Sequence, residues 1–115
     1  MQGSISLLVL NVTAGGALAV GRGVTGAGAY PSTGAGIRGV TRTSAGASGD
    51  LVPVDVIGTA LMEAGGTVTL NGPVMCDSSG RAVDRTSTNV IVGYALSAAG
   101  AAGVFVEVAL TGVSA

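Results

Sequence analysis

The stretch Val104-Phe105-Val106-Glu107-Val108-Ala109-Leu110, close to the end of the 115-residue chain, decides the fold class. Its valines and its leucine occupy alternate positions, with smaller, aromatic or charged residues between them. A period of two residues is typical of a β-strand, whereas a helix repeats every 3.6 residues. The uncharged residues 90–106 invite a membrane-spanning helix, but three glycines interrupt them and Glu107 follows at once. We therefore predict a strand here and expect no membrane partner.

The same signal recurs along the chain. Helical spacing of apolar residues is almost absent, and short runs of Val, Ile, Leu and Thr are separated by glycine-rich breaks. We predict strands at about residues 5–12, 18–24, 37–43, 51–57, 59–62, 67–70, 74–76, 90–96 and 104–110. Many short strands with regular turns indicate an all-β fold, namely a small Gly-rich antiparallel β-sandwich or barrel-like domain.

Three segments carry specific turn or edge chemistry. Asn71-Gly72-Pro73 offers a residue that tolerates positive φ and then fixes φ with proline. The run at residues 77–80, DSSG, places Asp first and Gly last, as type I turns prefer. Pro53 lies inside a strand run, and because proline lacks an N–H it predicts an edge position for that strand.

The chain length predicts one β domain over residues 18–115, preceded by residues 1–17 as an N-terminal arm or a first strand. This first segment contains a nearly continuous apolar run, formed by Ile5, Leu7, Leu8, Val9 and Leu10. The run is either a buried core strand or an arm that adds a strand to the sheet edge of a neighbour. We count these five residues as candidate interface residues.

The composition excludes several classes of function. The sequence has no His and no Lys, which removes the imidazole base, histidine-based triads, the usual zinc ligands and Schiff-base chemistry. The net charge of −1 provides no positive surface for nucleic acid, so we expect no nucleic-acid partner. The single Cys76 cannot form an intrachain disulfide, and we expect a buried, unreactive thiol. We expect no enzyme activity, no cofactor and no metal.

Two motif-like features have simpler interpretations. Residues 34–39 match G-x-G-x-x-G, but no strand precedes them and β-branched residues follow, so a turn is favoured over a dinucleotide site. Asp77 and Asp84 could act as a carboxylate pair only if the fold brought them together in a cleft. A small oligomeric enzyme that uses these carboxylates is the least favoured hypothesis.

All five basic residues are arginines. They lie either on solvated strand edges or at an interface, where Arg forms paired hydrogen bonds with partner carboxylates. These candidate interface residues are Arg22, Arg38, Arg42, Arg81 and Arg85. Aromatic residues are only 3% of the chain and glycine is abundant, so the core is poor in large groups and we expect self-association to bury further apolar surface.

Seven short motifs follow one another between residues 18 and 110. They are LAVGRGV at 18–24, IRGVT at 37–41, GDLVPVDVIG at 49–58, EAGG at 63–66, NGPVMCDSSGRAV at 71–83, VGYAL at 92–96 and GVFVEVAL at 103–110. In this order the motifs resemble those of the phage capsid cement, or decoration, proteins.

The resemblance implies a structural, non-enzymatic virion protein that is made in the host cytoplasm. Such a protein binds the outer surface of the phage head, stabilises contacts between capsomers and is a homotrimer, with the major capsid protein as its partner. The alternative is a small β binding module of a phage tail or fibre that recognises glycans. That alternative requires exposed aromatic residues, for which Tyr30 and Tyr94 are the candidate tyrosines.

Overall fold

The structure, a computed structural model, describes residues 5–113 and contains no helix within that span. All strand pairs are antiparallel, in a nearly closed, barrel-like sheet, so the predicted all-β fold class is confirmed. Within these residues there is no helix that is long and apolar enough to cross a membrane. The strands are β1 Ser6–Thr13, β2 Gly23–Val24, β3 Gly39–Thr41, β4 Leu51–Glu63, β5 Pro73–Cys76, β6 Ala82–Asp84, β7 Gly93–Ala95 and β8 Phe105–Thr111.

Strand β4 organises the sheet. Its 13 residues pair with β1 and β3 in the first half and with β8 in the second half, and the sheet order is β2-β3-β4-β8-β7-β5-β6, with β1 paired to β4 off this path. Ile57 pairs with Leu8 of β1 and with Thr111 of β8. Because one residue meets both partners, β1 and β8 lie on opposite edges of β4.

The two strands predicted at residues 51–57 and 59–62 are one continuous strand, so the break predicted at Gly58 is wrong. Gly58 has a φ of +111°, and a Cβ there would lie 2.0 Å from the carbonyl oxygen of Ile5. The register between β1 and β4 shifts on both sides of Leu8, next to this glycine. The glycine therefore permits a bulge and a close approach of β1 while the strand continues.

Other strand predictions need correction. The run at 18–24 forms a strand only at Gly23–Val24, and 67–70 contributes a single bridge, Val68 to Ala99. Strand β6 was missed because its three residues lack an alternating apolar pattern. Pro53 lies in the central strand β4 and not in an edge strand. The Pro53 carbonyl accepts a hydrogen bond from the N–H of Arg42, which lies one residue beyond β3. The N–H that proline lacks would therefore point to a position where β3 has already ended.

The predicted turns form as their residues require. Asn71 has a φ of +63°, and the Gly72 N–H donates to the Thr69 carbonyl at 3.0 Å. In the β5–β6 turn, the Gly80 N–H donates to the Asp77 carbonyl at 2.9 Å, and Gly80 has a φ of +74°. Both turns place a residue that tolerates a left-handed conformation where the chain reverses.

The core consists of two clusters of small aliphatic side chains. One is centred on Met62 and the valines of β5 and β8, and the other on Val52, Val54 and Val56 of β4. Leu10 and Tyr30 are partly buried against the second cluster. Most members are Val or Ala, so the core contains few large apolar side chains.

Candidate interaction surface

Strand β1 is an edge strand with an open side. It pairs with β4 and with no other strand of residues 5–113. The Ala14 N–H donates to the Asp50 carbonyl at 2.8 Å, so by alternation Leu10 and Val12 direct their backbone groups to β4. The backbone groups of Val9 and Asn11 therefore point away from β4, and no backbone partner for them exists in the described span.

Apolar side chains cover the first half of this strand. We call Ile5, Leu7, Leu8, Val9 and Ile57 the β1 patch; they are exposed by 64%, 73%, 40%, 37% and 43%. Leu8 and Ile57 are direct cross-strand partners, so the patch continues from β1 onto β4. These exposed fractions amount to about two and a half aliphatic side chains, worth about 4–8 kcal/mol if fully buried.

The apolar run at 5–10 lies, from Ser6 onward, in the first strand of the chain, and only part of it is buried. Residues from Ser6 onward form a strand of the chain's own sheet, and Leu10 is partly buried against the core. The other four apolar residues of the run are exposed. The first four residues of the chain lie outside the described residues, so their part in the arm predicted for residues 1–17 stays a prediction.

The other two terminal strands of the sheet are covered by the chain itself. The Gly23 N–H of β2 donates to the Gly80 carbonyl at 2.7 Å. On β6, Ala82 accepts a hydrogen bond from the Gly65 N–H at 2.8 Å, and Asp84 donates to Thr67 at 3.2 Å. The turn at 77–80 and the segment at 65–67 thus occupy edges that would otherwise pair with another chain.

Two of the five candidate arginines hold loops together inside the molecule. Arg22 forms an ion pair with Glu63 at 3.2 Å, donates to the Ser79 carbonyl at 3.1 Å and lies 5.7 Å from the centre of the Tyr30 ring. Arg81 lies 3.7 Å from the same Glu63 and 3.6 Å from Asp77. Their side chains are only 16% and 30% exposed, which limits the surface they offer to a partner.

The remaining arginines are dispersed. Arg85 donates from Nε to the Asn89 carbonyl at 2.8 Å, within its own loop. Arg38 is partly buried, and its guanidinium lies against Gly26. Among the arginines that form an ion pair with an acid, Arg42 has the most exposed side chain, at 45%. The structure therefore does not gather the five arginines into one surface.

Sequence reasoning missed a buried acid beside β1. Asp55 is only 3% exposed; its carboxylate accepts a hydrogen bond from the Ser6 hydroxyl at 2.5 Å and lies 3.6 Å from Arg42 Nε. An open depression of about 200 Å³ adjoins this pair, lined by Val20, Thr41, Arg42, Asp55, Leu61 and Phe105. The signal in the sequence is the charged residue inside the apolar run VPVDVI.

The carboxylates proposed as an acid and base pair stabilise separate turns. Asp77 accepts the Ser79 and Arg81 N–H groups at 2.9 Å each. Asp84 accepts the Thr69 N–H at 2.7 Å and the Thr69 hydroxyl at 2.8 Å. Over residues 5–113, no group of three or more potential metal ligands occurs.

The other candidate chemical groups are similarly occupied. Burial, with a smaller effect of the Asp77 charge, raises the pKa of the Cys76 thiol to about 12, so the thiol stays protonated at neutral pH. The Tyr30 hydroxyl accepts the Ala19 N–H at 2.8 Å, which leaves Tyr94, at 45% exposure, as the more available tyrosine.

Comparisons with known proteins give a family and a structural neighbour for this chain. A family model described as phage cement protein matches residues 2–110. The crystal structure of the head fiber gp8.5 N base in bacteriophage phi29 is similar, with a TM-score of 0.73 and 16% identity over 94% of this chain and 97% of that chain. At that identity the likeness shows a shared fold. No match was found among curated proteins.

Proposed function

The chain belongs to the phage cement protein family, and from this premise we propose that it is a structural decoration protein of a phage head. It binds the outer surface of the head and stabilises contacts between capsomers, with the major capsid protein as its partner. The observation that carries the proposal is the family match over residues 2–110. In this role the protein is a virion component and catalyses no reaction.

The surface of the chain supports this role. The β1 patch is apolar and contains no charged residue, so its burial against another protein removes apolar area from water without desolvating a charge. The carboxylates that could serve chemistry are instead engaged in turns and in internal ion pairs. We therefore infer that the protein works by binding another protein through its apolar surface.

We further propose a homotrimer. Burial of one β1 patch is worth about 4–8 kcal/mol, whereas association costs about 4–15 kcal/mol in lost translational and rotational freedom. One patch is therefore too small to hold a single copy firmly on the head. Three linked copies bind together more tightly, because the first contact raises the effective concentration of the other two. A protein that binds only the assembled lattice also stabilises that lattice by mass action.

The test uses purified protein and phage heads that lack it. We expect light scattering to show that the free protein is a trimer. We also expect the protein to co-sediment with expanded heads, and its binding to raise the temperature at which the heads open. The variant Leu7→Asn should bind at least tenfold more weakly, and Leu70→Asn, which changes a leucine exposed by 53% in the turn before β5, should bind normally. If the wild-type protein does not bind the heads, the proposal is wrong.

A further inference from the structure

The sheet has one open strand edge among residues 5–113, and it is that of β1. The edges of β2 and β6 are covered by backbone hydrogen bonds within the chain, from Gly23 to Gly80 and between residues 65–67 and β6. The outward backbone groups of Val9 and Asn11 have no such partner.

From Val9 onward this edge also lacks the features that normally keep an edge strand from pairing, because the register shifts of β1 lie between Ser6 and Val9. Soluble proteins protect such edges with charged side chains, proline, a bulge or a very short strand. Strand β1 has eight residues, SLLVLNVT, with no charge and no proline. The neighbouring side chains Leu7 and Val9 are exposed by 73% and 37%, so an added strand would find apolar contacts beside its hydrogen bonds.

We propose that an extended segment of the capsid protein pairs with β1 as an additional strand of this sheet. The inference rests on the proposed function, and it names the contact by which the protein holds the head. Main-chain hydrogen bonds to Val9 and Asn11 provide affinity, and Leu7 and Val9 select apolar side chains on the added strand.

In the proposed trimer, the arrangement of edges favours a segment of the capsid protein over a second copy of this chain as the occupant. A three-fold ring built by strand pairing needs two different open edges on each copy, one to give and one to receive. The described chain offers only β1, because β2 and β6 are already covered. Pairing of β1 with β1 closes after two copies, so in a trimer this edge stays free for another protein.

A matched pair of variants tests this contact. Asn11→Pro removes the outward N–H, and Asn11→Ala removes the same side chain but keeps the N–H. An edge strand tolerates proline where the N–H faces outward, so both variants should fold. We expect Asn11→Pro to bind expanded heads about tenfold more weakly and Asn11→Ala to bind as wild type does.

The outcomes separate the two proposals. If wild type binds the heads and Asn11→Pro binds equally well, the strand pairing is refuted while the decoration role stands. If Asn11→Pro instead changes the number of copies in free solution, the occupant is a second copy and the inference is wrong. If wild type fails to bind at all, the proposed function itself fails.

A second measurement does not depend on the variant folding. Hydrogen–deuterium exchange of the wild-type protein, free and bound to heads, reports on the amides of Val9 and Asn11 directly. We expect both amides to exchange rapidly in the free protein and at least tenfold more slowly when bound. Unchanged exchange at these amides in the bound protein would overturn the inference.

Discussion

The substitution Gly58→Ala tests how β1 is seated on the sheet. Gly58 has a φ of +111°, which side chains rarely adopt, and a Cβ there would lie 2.0 Å from the Ile5 carbonyl oxygen. That oxygen accepts the Thr59 N–H at 2.8 Å, and the Ile5 N–H donates to Thr59 Oγ1 at 2.8 Å. An added methyl group must therefore displace the start of β1 and break both hydrogen bonds.

The magnitude follows from these contacts. Backbone strain at such a φ costs about 1–3 kcal/mol, and each lost hydrogen bond costs about 0.5–1.5 kcal/mol. The free energy of unfolding should fall by about 2–6 kcal/mol, against a total of roughly 6–17 kcal/mol for a domain of this length. The melting temperature should fall by roughly 8–24 °C.

Thermal unfolding followed by circular dichroism measures the change. Gly100→Ala is the matched control, because a Cβ at Gly100 meets nothing within 4 Å. We expect Gly58→Ala to remain folded at low temperature and to lose affinity for heads, because the β1 patch shifts with the strand. Equal melting temperatures for the two variants would refute the close approach of β1 to Gly58.

Three further experiments have defined outcomes. Ser6→Ala should lower the free energy of unfolding by about 1–3 kcal/mol, because the buried Asp55 loses a hydrogen bond. Arg42→Ala should lower it by less than about 1 kcal/mol, because that arginine is exposed. Urea denaturation that gave the larger loss for Arg42→Ala would contradict the interpretation. Glu63→Gln should cost about 1.5–3 kcal/mol in the same assay, since Arg22 and Arg81 share its charge, and no loss would show that the network is dispensable. The pKa of Cys76 is raised from 9.0 to about 12 in the folded protein, so the thiol of the unfolded chain ionises first. The free energy of unfolding should therefore fall as pH rises from about 9 toward 12, and Cys76→Ala should lack this pH-dependent loss. Identical pH profiles for the two proteins would contradict the burial of the thiol.

Local sequence patterns predict the strands and turns that depend on local chemistry. The alternation at residues 104–110 becomes β8, because one face of that strand is buried by Val106 and Val108. Asn71 adopts the positive φ that its turn requires. In these segments a residue and its immediate neighbours determine the backbone, so a single sequence is sufficient.

Pairing and burial across the sheet depend on distant residues, which the local pattern does not contain. Gly58 reads as a break in sequence but supports a bulge against Ile5, which lies 53 residues earlier. The run at 5–10 reads as uniformly apolar, yet Leu10 contacts the core while Leu7 is exposed. Likewise, Arg22 and Arg81 read as surface charges but meet at Glu63.

A cryo-EM reconstruction of phage heads with and without this protein tests the central claim most directly. The account predicts additional density on the outer surface, in three-fold units, with β1 in contact with a strand of the capsid protein. Heads that carry no such density after saturation with folded protein would contradict it.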